Sequence, residues 1–415
     1  MRRGIYIVFS VCVSLMVGGM AHAATIQVGT SYPVKSIKQA LEKAADGDTI
    51  RVHGGTYREG NIAIHKSVAL MGVDNPVIDG EKEHEQFSVF VPYVTINGFT
   101  VIASGKSSIR DIAAIKVYDT HHATIENNIL DDNFFGIYIQ SSKQCTIRNN
   151  KLTAYGETEQ LTGNGIHSWK SDSLYIAGNT IVGHRDGVYL EFVTHTEVRD
   201  NQALDNRRYG LHFMFSHQNG YYHNTFSRNG AGVAVMYTKQ VRMENNTFSE
   251  NWGDAAYGLL LKDITDSHIE HNVFSRNTTG ILMEGSNRVQ IQRNQFEGNG
   301  WALKMQSSCM DNELTQNNFV QNTFDLATNG SLKLNRFIRN YWDKYEGYDL
   351  NKDREGDVPY RPVSLFSMVV EKYPMAMLLF RSFMVTLLDR TERVVPSLIP
   401  EDLKDDAPMM KPVAL

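Results

Sequence analysis

His167, His212, Met214, His217 and Met236 bring nitrogen and soft sulfur donors into one stretch of the chain. Imidazole with thioether is the ligand set that suits Cu(I) over Zn(II) or Mg(II). Trp169, Tyr189 and Glu191 lie among them, as does the run His184-Arg185-Asp186. Methionine and tryptophan exposed together on a sheet would mark a partner surface. Asp349, Asn351, Asp353 and Asp357 alternate around Gly356 like half of a calcium loop, though without EF-hand spacing or its distal glutamate. Asx turns that need no metal are the alternative there. Hydrolytic chemistry is poorly represented. Asp131-Asp132 is the most obvious carboxylate pair, with no catalytic His or Arg beside it. Asp186, Arg185 and Lys170 could serve a polysaccharide lyase only weakly, and no nucleophilic triad is recognisable.

The elements that position these residues are set by a repeat. Asparagine recurs about every 22 residues at 128, 150, 179, 201, 224, 246, 272, 294, 317 and 335, with an apolar residue two places on. A glycine with alternating residues follows most of these, as in Gly187-Val-Tyr-Leu and Gly210-Leu-His-Phe. Short strands and Asn/Gly corners at this period indicate an all-β, right-handed single-stranded parallel β-helix. Alternation turns the first and third residues after each glycine inward, and the second and fourth outward. The outward set is Tyr138/Gln140, His167/Trp169, Tyr189/Glu191, His212/Met214, Ala234/Met236 and Leu260/Lys262. His167 and His212, two coils apart, should be roughly 10 Å from each other, too far to share one ion. Met214 with Met236 is a closer pair. A covering loop would instead make all of these packing residues. The longer Asn150–Gly165 and Asn246–Gly258 intervals place two insertions on one edge, where such folds put binding surfaces.

Residues 1–23 read as a secretory signal: Arg2-Arg3, an apolar stretch, then Ala21-His22-Ala23. Losing the two arginines takes the formal charge from −5 to −7, and no Lys/Arg run remains to favour a nucleic-acid partner. Cys145 and Cys309 fall many coils apart, beyond disulfide reach, and should be separate buried thiols.

The β-helix should occupy 24–340, opening with a capping helix near 36–45, followed by a closing segment over 341–364. The apolar residues 365–388 are broken too often to cross a bilayer. Met377, Phe380, Met384, Leu387 and Leu388 fall at helical spacing, giving either a helix folded over the last coil or one that docks on a membrane protein. Residues 401–415 read as a loose tail.

Several long strings resemble the NosD family, periplasmic maturation proteins of nitrous oxide reductase. They are Gly165-Ile-His-Ser-Trp-Lys-Ser-Asp, Gly183-His-Arg-Asp-Gly-Val-Tyr-Leu-Glu-Phe-Val-Thr, Arg208-Tyr-Gly-Leu-His-Phe-Met-Phe-Ser-His, Asn229-Gly-Ala-Gly-Val-Ala-Val-Met-Tyr and 253–262. The resemblance implies a β-helix of the carbohydrate-binding and sugar-hydrolase repeat type. It also implies a non-enzymatic role in supplying copper, in transit as Cu(I), to the reductase's catalytic copper–sulfur centre. Its implied partners are an ABC transporter (permease plus cytoplasmic ATPase), a copper-chaperone lipoprotein and the apo reductase. It favours the docking helix, at the inner membrane. A metal-free scaffold joining transporter to reductase remains an alternative, as does a polysaccharide-binding or polysaccharide-cleaving β-helix.

Overall fold

In the computed structural model, which describes residues 23–107, 109–380, 382–385, 387–388 and 403–415, each coil gives one short strand to each of three parallel sheets. These sheets hold 14, 12 and 13 strands. The signal segment lies outside the described residues, apart from Ala23.

Alternation sets the core. Ile166 and Ser168, Val188 and Leu190, Leu211 and Phe213, Val233 and Val235 are all inward and buried. The recurring glycine is a packing requirement: a Cβ at Gly232 would stand 2.2 Å from the carbonyl oxygen of Gly258 in the next coil. One interior column is aromatic. Phe226, Phe248, Phe274, Phe296, Phe319 and Trp342 stack with ring centroids 5.5, 4.6, 4.9, 4.8 and 4.0 Å apart.

The asparagines do the work of buried donors and acceptors. Each Oδ1 accepts from the backbone N–H and the side-chain amide of the asparagine one coil earlier, as Asn246 does from Asn224 at 2.9 and 3.0 Å. Each Nδ2 also donates to a backbone carbonyl, so few buried polar groups are left open. The final rung differs from the sequence reading. Asn317 continues to Asn340, whereas Asn335 belongs to another corner and bonds Asn312. Two columns with the same residue and the same period are interchangeable in one dimension.

Both ends are closed. The helix Ile37–Lys43 is capped by Ser36, whose Oγ accepts from the Gln39 N–H, and it buries Ile37, Ala40 and Leu41 over the first coils. At the other end, the tail is not loose. Leu403 and Asp405 are fully buried, and Asp405 takes the next rung position. Its Oδ2 accepts from Asn340 N and Nδ2 at 3.0 Å and from Trp342 Nε1 at 3.1 Å.

Candidate functional site

The strands Phe135–Gln140, Ile166–Trp169, Asp186–Glu191, Tyr209–Met214 and Ala231–Met236 are consecutive neighbours in the 12-stranded sheet. Their register stacks Tyr138, His167, Tyr189, His212 and Ala234 in one row. Gln140, Trp169, Glu191, Met214, Met236 and Lys262 form a second row. Both rows face away from the core, as alternation requires.

The first row is not open, however. His167 is 9% and His212 5% exposed. The insertion at 154–164 folds over it, placing Asn164 Nδ2 3.0 Å from His167 Nδ1, with Gly156 O held 3.0 Å from Arg207 Nε. Tyr257, from the second insertion, packs with Tyr209, Ala234 and Leu260. Rings then fill the row: Tyr138–His167, His167–Tyr189 and Tyr189–His212 centroids are 4.4, 4.9 and 4.9 Å apart. Tyr189 therefore separates the two histidines.

His212 is further committed. Arg208 donates to its Nδ1 at 3.0 Å while holding Asp186 through bonds of 3.0 and 2.9 Å. A guanidinium has donors only, so Nδ1 supplies the lone pair and the ring proton lies on Nε2, which is buried without a partner. Copper could use His212 only after Arg208 lets go. Asp186 and His184, expected on a partner surface, are fully buried instead. Asp186 is the carboxylate that anchors Arg208, and half-buried Arg185 lies 3.9 Å from it. His184 stands at an asparagine position, its backbone N–H donating to Asn206 Oδ1 at 3.1 Å, and neither ring nitrogen has a partner.

These imidazoles make the fold acid-sensitive. Burial pushes His184 down to about 4, and burial with the Arg185 charge pushes His167 down to about 3. The unfolded rings titrate at about 6.5. Below that value the unfolded chain takes up protons that the folded chain refuses, so the stability is complete above about pH 6.5 and lost on acidification toward 4. Urea unfolding at pH 7, 5.5 and 4.5 should show a falling midpoint, with a shallower fall in His184→Asn.

The second row is accessible. Trp169, Glu191, Met214 and Met236 are half-buried, and Tyr189 Oη lies 3.9 Å from Met214 Sδ. Met214 and Met236 pair directly in register. His217 sits beyond the strand end, half-buried, with its pKa lowered by burial and by Lys239. Beside the methionines runs a feature that the alternation rule missed. Phe192, Phe215 and Tyr237 stack at 5.2 and 5.1 Å and are exposed. Each follows an outward residue and should point inward, but φ values of 54°, 50° and 54° rotate the side chain out. Their spacing at the coil period was the available signal.

Around 349–357 the side chains form Asx turns. Asp349 accepts from the N–H groups of Lys352, Asp353 and Arg354, Asn351 from that of Asp353, Asp353 from that of Glu355, and Asp357 from that of Leu350. Among the described residues, no group of three or more His, Cys, Asp or Glu side chains is placed to hold an ion. Cys145 and Cys309 are separate, buried thiols.

Helix Leu365–Lys372 packs Phe366 against Phe324 on the same sheet as the methionines, and Lys304 pairs with Glu371 at 2.8 Å. A 3₁₀ turn, Pro374–Leu379, replaces the expected start of a regular helix and fully buries none of its residues, with Ala376 partly buried on the Phe324 cluster. Phe380 rests on Phe324 and Phe366, and Leu388 packs on the same cluster, whereas Met377, Met384 and Leu387 are exposed.

The profile of the NosD family, described as periplasmic copper-binding protein, matches residues 153–352, the stretch that holds both rows except Tyr138 and Gln140. A right-handed β-helix profile matches 65–181. A Stutzerimonas stutzeri protein named "Probable ABC transporter binding protein NosD" is 26% identical, covering 97% of this chain and 94% of its own. Over residues 153–352 the chain resembles the NosD family. A Pseudomonas aeruginosa protein of the same name is also 26% identical, over 89% of this chain and 90% of its own length. Solved structures share the fold of this chain and little sequence. A GH87 α-1,3-glucanase catalytic unit from Streptomyces thermodiastaticus has a TM-score of 0.61 at 13% identity, covering 79% of this chain and 70% of that one. PfbA, a surface adhesin of Streptococcus pneumoniae, has a TM-score of 0.57 at 13% identity, covering 71% and 88%. Among the described residues no helix is long and apolar enough to cross a membrane.

Proposed function

We propose that this chain is a periplasmic accessory factor for maturation of nitrous oxide reductase, carrying Cu(I) as cargo between a transporter-bound copper source and the apo reductase. The observation that carries this reading is the Met214–Met236 pair: two thioethers on adjacent strands, accessible and flanked by an exposed aromatic stack. Thioethers are neutral, soft ligands that do not compete with protons, which suits brief occupancy by Cu(I). His167, His212 and His217 support the pair by packing or by later rearrangement rather than as ready ligands. Trp169, Tyr189, Glu191 and the aromatic stack supply the contact surface for the apo reductase or for a copper-chaperone lipoprotein.

The apolar residues after Pro374 are the docking surface for the ABC transporter permease at the inner membrane, whose cytoplasmic ATPase drives the complex. They stand on the same sheet as the methionines, about 20 Å along the axis from Met236 at one strand spacing per coil. A partner seated there would lie along the metal face. Expression of Met214→Ala/Met236→Ala in a strain lacking this gene tests the reading. Reductase lacking the absorption of its copper–sulfur centre is the expected outcome. Reductase with full copper would favour the metal-free scaffold, to which the engaged state of His212 already lends weight.

A further inference from the structure

The corner after strand Ala113–Tyr118 carries His121 and His122, both exposed, with their Nδ1 atoms 2.7 Å apart. Tyr93, from the preceding coil, stacks on His122 at 5.0 Å and 23° and meets His121 edge-on at 5.5 Å and 89°. A nitrogen–nitrogen contact of this length is a hydrogen bond. One Nδ1 therefore carries the proton, the other a lone pair, and both aim at a single point. Adjacent residues of a strand point to opposite faces. Here the φ of 56° at His122 swings its ring back beside its neighbour.

We propose that His121 and His122 form a two-coordinate Cu(I) site in which the ion replaces the shared proton, with Tyr93 packing the two rings. The inference rests on copper being the cargo of this chain. A closed-shell Cu(I) ion is satisfied by two imidazole nitrogens in line, whereas a structural Zn(II) requires four ligands. At metal–nitrogen distances of about 2 Å the two Nδ1 atoms must part to about 4 Å. Both rings are free to do so: the corner is held through backbone contacts, His121 bridging Lys143 and His122 N donating to Lys143 O at 3.1 Å. The protons balance. The ring protonated at Nδ1 passes that proton through solvent to its own Nε2, so two neutral imidazoles bind one Cu(I) without net proton release.

The site lies four coils from Met214 on the same sheet's edge, about 19 Å along the axis, and cannot share an ion with it. It would take up copper at one end of the face whose methionines release it. The test uses the full mature chain, anaerobic Cu(I) held by a chromophoric chelator, and X-ray absorption at the copper edge. The parent should show a two-coordinate, nitrogen-only population. His121→Ala/His122→Ala should lose that signature and one equivalent of Cu(I), while Met214→Ala/Met236→Ala keeps it. Unchanged stoichiometry and spectrum in the histidine variant, or sulfur-only copper in the parent, would overturn this site and leave the methionine pair standing. No Cu(I) uptake by the parent would overturn both.

Discussion

Asp405→Ala is expected to melt the C-terminal end of the solenoid before the rest. The alanine leaves three buried donors, Asn340 N, Asn340 Nδ2 and Trp342 Nε1, without the acceptor that now serves them. Each orphaned donor costs about 1–3 kcal/mol, so about 3 kcal/mol or more should be lost. In a solenoid that loss stays local, because each coil touches only its neighbours. Thermal unfolding followed by tryptophan fluorescence should therefore gain an early step reporting Trp342, absent from the parent. Asp405→Asn keeps an acceptor for Asn340 and Trp342 but sets its NH2 against the Arg339 and Ala407 N–H groups that Oδ1 now serves, so its early step should be smaller than that of the alanine variant. A single transition at the parental temperature in the alanine variant would show that the tail adds nothing.

Charges placed on the exposed turn should release the protein from its transporter. Met375 and Leu378 are 76% and 81% exposed and sit in a segment that fully buries no side chain of its own. Among the described residues neither side chain is covered, and apolar side chains so exposed are characteristic of a docking surface. Met375→Glu/Leu378→Glu should weaken binding to the detergent-solubilised permease complex by at least about 30-fold, the effect of losing one interface hot spot of about 2 kcal/mol. Its melting temperature should match the parent's. Unaltered binding would mean that these residues serve something other than the transporter.

How much was legible in the sequence depended on what each residue touches. The inward and outward assignment of His167, Tyr189, His212 and Met214 followed from glycine spacing alone, since every coil obeys the same alternation. Coverage of the histidine row did not. The path of the 154–164 insertion is fixed by bonds such as Arg207 Nε to Gly156 O, between residues 51 apart. The same holds for Asp405, 65 residues from the Asn340 amide that it caps. Phe192, Phe215 and Tyr237 escaped because a left-handed backbone at each corner breaks the alternation that located their neighbours.

Copper handling at the Met214–Met236 pair is tested most directly by anaerobic Cu(I) competition titration of the mature protein against Met214→Ala/Met236→Ala, with circular dichroism confirming the fold. The parent should withdraw copper from the chelator, and the double variant should lose the sulfur-bound share of that uptake. Equal uptake with an unchanged absorption-edge spectrum in both proteins would contradict a metal role for these methionines and leave them as part of a docking face.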